Sequence, residues 1–209
     1  MRKFCLAVIS VLLLYCSSNG QTAISKITHS YFRSDPFGSA FSSFITGLLN
    51  DPTLTDKILE KKTDTSLFYF QGTYTNHNPF FFKPTKVEVI LSETALQLDS
   101  LHADTIYTYQ LLAYNNDTKD GMQELKKEFE KIYRHYKKGF AKNQYAENPA
   151  GSKWNGATYN FFDLYHAVSP FAITWFGPDE NKEICLILTV RMKISNNEAV
   201  LPIPFYAPQ

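Results

Sequence analysis

Little in this sequence matches a familiar catalytic centre. It has no GxSxG, SxxK or HExxH motif, no glycine-rich phosphate loop and no paired-carboxylate motif. Those absences remove the common hydrolases, metalloproteases and nucleotide binders, though not an active site built from scattered residues. Cysteine is scarcer still: Cys5, Cys16 and Cys185 are the only three. The first two fall in what reads as a leader. One remaining cysteine excludes an internal disulfide and a thiolate metal site. Charge of one sign is also lacking, with 21 basic against 20 acidic residues. Gross charge therefore recommends neither nucleic acid nor an anionic membrane. After the leader no apolar run approaches membrane-spanning length. Stability has to come from packing, and an aromatic content of 15% suits that.

Residues 1–20 have the three-part layout of a secretory signal peptide. Arg2 and Lys3 precede an apolar core from Phe4 to Tyr15, and a polar CSSNG stretch follows. Ser18 and Gly20 are the small residues that cleavage before Gln21 requires. Lipidation at Cys16 is disfavoured because Tyr15 stands where a small residue belongs. This leader resembles those of exported Bacteroidetes proteins over about twenty residues, which implies a periplasmic, cell-surface or secreted bacterial protein. Losing Arg2 and Lys3 would turn the formal +1 into about −1.

The stretch Asp120–Phe140 organises the rest. Met122, Leu125, Phe129, Ile132, Tyr133, Tyr136 and Phe140 fall on one side of a helix. Its other face carries acids toward the start and bases toward the end, a solvated pattern that suits the helix dipole.

Residues 21–34 read as a polar lead-in. Asp35-Pro36 predicts a helix through Leu49, and Asp51-Pro52 a second one carrying Leu54, Ile58 and Leu59, so that a short helix pair opens the domain. Strands are predicted at Leu67–Thr75, Lys86–Leu91, Ala95–Asp99 after a turn near Glu93, and Ile106–Tyr114. Beyond the long helix, Ala141–Gly156 reads as a loop, followed by strands at Ala157–Leu164 and Phe171–Phe176. The clearest strand runs from Ile184 to Ile194 by strict alternation. Residues 196–209 read as a proline-rich tail. Together this predicts an α+β domain over 35–195, an antiparallel sheet covered on one face by the long helix.

Candidate chemistry is sparse. His29, His77, His102, His135 and His166 show no metal-ligand spacing, so neither a metal nor a cofactor is expected. Asp163 and His166 would point to opposite faces of a strand. Cys185 sits inside the alternating strand, where a thiol behaves as a small hydrophobe. Aromatics say more. Phe80, Phe81 and Phe82 are consecutive, so at least one ring must turn away from the others, and Trp154 stands between glycines in a polar loop. Asp99-Ser100-Leu101 and Asp104-Thr105-Ile106 are similar to O-glycosylation sites of exported Bacteroidetes proteins. Asn116-Asp117-Thr118 matches an N-glycosylation acceptor, without meaning in a bacterium.

These features lead to the expectation of an exported, non-catalytic binding protein of unidentified ligand or protein partner. Its contact residues would be Trp154, Phe80, Phe81, Phe82 and His77. A secreted hydrolase around His77, Asp163 and His166, and an inhibitor or immunity-type partner of a secreted protein, are the alternatives.

Overall fold

The computed structural model describes residues 22–63, 67–97, 103–148, 155–163 and 168–201. The first element is a helix over 22–31 (α1), in the stretch expected as a polar lead-in. Ala23, Ile24, Ile27 and Tyr31 recur at helical spacing and are all buried, as is Phe32 just beyond.

The expected helix pair is corrected. The first helix begins at Phe41 instead of Asp35 and runs to Leu49 (α2). The second is a strand, Leu54–Glu60 (β1). In both cases the Asp-Pro pair makes a tight side-chain turn. Asp35 Oδ1 accepts the Phe37 N–H at 3.0 Å, and Asp51 Oδ1 accepts the Thr53 N–H at 2.8 Å. An Asp oxygen bonded two residues ahead closes a loop as readily as it opens a helix.

Tyr69–Tyr74 (β2), Lys86–Gln97 (β3) and Ala103–Asn116 (β4) complete a meander with β1. The turn expected near Glu93 does not exist. β3 passes straight through it, because Glu93 Oε1 pairs with Lys62 and Oε2 accepts the Phe68 N–H, which lets a carboxylate stay buried on the core face. The long helix follows at Lys119–Tyr136 (α3), and its last turn tightens into a 3-10 helix over Lys137–Gly139. Thr118 caps α3 by accepting the Gly121 N–H at 3.0 Å.

The loop expected over 141–156 contains an edge strand, Lys142–Glu147 (β5). Then come Gly156–Phe162 (β6), Phe171–Phe176 (β7), Glu183–Ser195 (β8) and Glu198–Val200 (β9), the last lying in the stretch expected as a tail. Asn196 and Asn197 both hold positive φ, which closes the β8–β9 hairpin.

The strands form one antiparallel sheet ordered β1-β2-β3-β4-β8-β7-β6-β5, with β9 added to β8. Two meanders thus join along β4 and β8, in a register that sets Leu111 opposite Leu188 and Tyr109 opposite Val190. Val87, Val89, Leu91, Tyr109, Leu111, Leu186, Leu188 and Val190 line one face of the sheet and are fully or nearly buried. Tyr109 ties α1 and α2 to that face, its ring 4.5 Å from Phe32 and 5.2 Å from Phe44. On α3, Phe129 stacks 5.0 Å from Tyr159 of β6, and Tyr136 meets Phe171 of β7 edge-on at 6.3 Å.

Candidate functional site

Two prolines and an asparagine shape the segment between β2 and β3. Asn78 Oδ1 accepts the Phe80 N–H at 2.9 Å, and its Nδ2 donates to the Phe82 carbonyl at 3.1 Å. One side chain thereby clamps both flanks of a three-residue arch. Phe80 and Phe82 turn inward and are buried, their rings 5.5 Å apart, with Phe80 also 5.7 Å from Tyr31. Phe81, between them, is 82% exposed.

The arch rests on α3. Glu128, buried on the helix, accepts the Phe81 N–H at 3.3 Å, and Lys131 places its ammonium over the Phe81 ring. Phe81, Phe82, Glu124, Lys127, Glu128 and Lys131 line a hollow of about 190 Å³. Lys127 and Lys131 also belong to a broader groove of about 710 Å³ along the outer face of α3, which Lys126, Arg134 and His135 share. Within it Glu130 is engaged, accepting the Tyr159 hydroxyl at 3.2 Å, while Lys126 lies over Trp175. Burial first, then Glu130, pushes the Tyr159 phenol up to about 12. Beside Phe81 two lysines thus alternate with two glutamates, and cations predominate only in the groove further along α3.

His77 is a structural tie. Its half-buried ring donates from Nε2 to the Tyr31 carbonyl at 2.8 Å and lies 4.9 Å from Tyr74. Trp154 and His166 lie outside the described residues. The remaining member of the scattered acid–base set, Asp163, is buried, and loss of hydration raises its carboxyl to about 6. It lines an adjoining cleft of about 560 Å³ with Lys26, Tyr136, Lys138 and the His135 that also lines the groove, and His77 does not contribute to it. Cys185 is buried, and desolvation pushes its thiol far above the usual range, so it holds no reactive thiolate.

Among the described residues no three His, Cys, Asp or Glu side chains gather as a metal site would need. No described helix is long and apolar enough to cross a membrane. The sequence signal that could have found Glu128 was an acid only three residues from Leu125, at the border of the apolar face. The sequence carried no sign that a backbone N–H 47 residues away would meet it. No protein-family model, no curated protein and no solved structure matches the chain.

Proposed function

We propose that this chain is an exported binding protein, without catalysis, whose contact surface is the Phe81 arch and the adjoining cationic strip of α3. The observation that carries the reading is Phe81, 82% exposed between two buried phenylalanines. An outward phenylalanine buries little apolar area, yet Asn78, Glu128 and Lys131 all act to hold it there. A ring set at the end of a groove lined by Lys126, Lys127, Lys131 and Arg134 suits a partner that offers an apolar group with an anion further along. In this reading α3 is the cover of the sheet's apolar face, and residues 1–20 direct export before cleavage at Gln21.

The test compares capture of cell-envelope proteins by the wild-type chain, Phe81→Ala and Phe81→Trp. At least tenfold weaker capture by the alanine variant, restored by tryptophan, is expected. Equal capture by all three, with folding intact, removes this site.

The hydrolytic alternative has one observation in its favour, the raised carboxyl of Asp163 in a cleft beside His135. It predicts turnover of ester or glycoside reporters that Asp163→Asn abolishes and Phe81→Ala leaves intact.

A further inference from the structure

The two outer edges of the sheet are built differently. β1 has a register shift between Thr55 and Ile58, with Asp56 at φ 48°, and Lys57 reaches back to the carbonyls of Leu49 and Asp51. A bulge and a lysine are ordinary means of keeping a further strand off an edge. β5 has neither bulge nor mid-strand charge. It pairs with β6 in unbroken register from Lys142 opposite Phe162 to Glu147 opposite Ala157, and all its residues except Asn143 are exposed. Asn148 donates its N–H to the Gly156 carbonyl at 3.0 Å. By alternation, the even-numbered residues of β5 turn their backbone groups toward β6. Those of Asn143, Tyr145 and Glu147 face outward, where the described residues provide no further strand.

We propose that β5 pairs antiparallel with β5 of a second copy of this chain, about a twofold axis passing between the two Tyr145 residues. Such an axis stands perpendicular to the sheet, so each residue must face one whose side chain lies on the same side. Strand bonds must also come from residues whose backbone groups face the gap. Setting Tyr145 opposite Tyr145 meets both conditions and places Asn143 opposite Glu147 at either end. That register uses all three outward residues. Sliding to Asn143 opposite Tyr145 leaves Glu147 beyond the strand.

The side chains suit a second copy. No charge meets its like, because Glu147 faces the neutral Asn143, whose Nδ2 donates to the Lys137 carbonyl of its own chain at 3.2 Å. Tyr145, 50% exposed, lies 4.9 Å from Tyr159, which stacks on Tyr133 at 3.8 Å. Two such stacks would join across the axis, the kind of cross-strand aromatic pairing that stabilises sheets. The contact extends the sheet without involving the Phe81 surface.

Sedimentation of the full chain tests this. Tyr145→Pro removes one outward N–H, a change edge strands tolerate. A concentration-dependent dimer is expected for the wild type, weakened at least tenfold by Tyr145→Pro and unchanged by Ile58→Lys on the opposite edge. Register is read by crosslinking in a Cys5→Ser, Cys16→Ser background. Directly bonded partners have Cα atoms about 5.5 Å apart, within disulfide reach. Tyr145→Cys should therefore crosslink under mild oxidation, while Gln144→Cys, set opposite Ala146, should not. A monomer at every concentration, a dimer indifferent to Tyr145→Pro, or equal crosslinking at both positions would overturn the proposal. So would a monomer that binds an unrelated extended peptide along β5.

Discussion

Glu128 and Phe81 stand 47 residues apart, yet the carboxylate of one accepts the backbone N–H of the other at 3.3 Å. Glu128 is almost fully buried, and Lys131 lies 3.7 Å from its second oxygen. Replacing Glu128 with alanine removes a charge-assisted hydrogen bond from a part-buried N–H and frees the arch, and should cost about 1–3 kcal/mol. Glu128→Gln keeps an acceptor and should lose less. Urea denaturation of both variants measures this, and equal losses would mean that the charge matters more than the hydrogen bond.

The start of α2 is held from the other end of the chain. Ala40, its local cap, offers no side-chain acceptor. Instead the Asn197 carbonyl accepts the Phe41 N–H at 2.7 Å, and Asn197 Oδ1 accepts the Ser42 N–H at 3.0 Å. Asn197 also sits at φ 61°. Asn197→Ala loses the side-chain cap on Ser42 and strains the turn, so a cost of about 1–2 kcal/mol is expected. Asn197→Gly relieves the strain alone and should recover part of it. Hydrogen exchange at Phe41 and Ser42 reports whether the loss is local to the helix start.

Phe129 is 2% exposed and stacked on Tyr159. Its replacement by alanine should cost ~3–5 kcal/mol. A loss under about 1 kcal/mol in thermal or urea unfolding would mean that α3 does not anchor the β6–β7 side of the sheet.

Asp163 gives the fold a pH dependence of unusual sign for a carboxylate. Its carboxyl titrates near 6 when folded, against an ordinary value of 3.8. The folded chain therefore holds this proton more tightly, and the group favours folding most below about pH 4. That contribution disappears as pH rises through 6. Asp163→Asn should match the wild type at pH 4 and exceed it by about 1–2 kcal/mol at pH 8. A difference that does not change with pH would assign the effect to shape instead of charge.

Where structure followed local pattern, it was legible. β8 alternates over Ile184–Ile194 as its residues suggested, and the positions singled out on α3 are buried or partly buried. Periodicity is a property of neighbours along the chain, so nothing remote can hide it. Gly139 marks where that sufficiency stops. A Cβ there would lie 2.8 Å from that of Ala23, and the helix tightens into a 3-10 turn where α1 passes. The β5 edge was missed for another reason. Its KNQYAE residues lack the β-branched and apolar alternation of a half-buried strand, because the strand is almost wholly exposed.

The sequence by itself determined the α+β character, the antiparallel pairing of neighbouring strands, the face of the long helix and the inertness of Cys185 within an alternating strand. Each follows from residue type and spacing within a few positions. Tertiary structure decided the rest. It chose between turn and helix at both Asp-Pro pairs, and it capped α2 with Asn197. It also let Glu93 continue a strand by pairing it with Lys62. Of three identical consecutive rings, it turned out Phe81, because Asn78 fixed the arch and Glu128 supplied the acceptor beneath it. Those outcomes depend on which polar groups find partners once the chain has folded, and partners dozens of residues away leave no local trace.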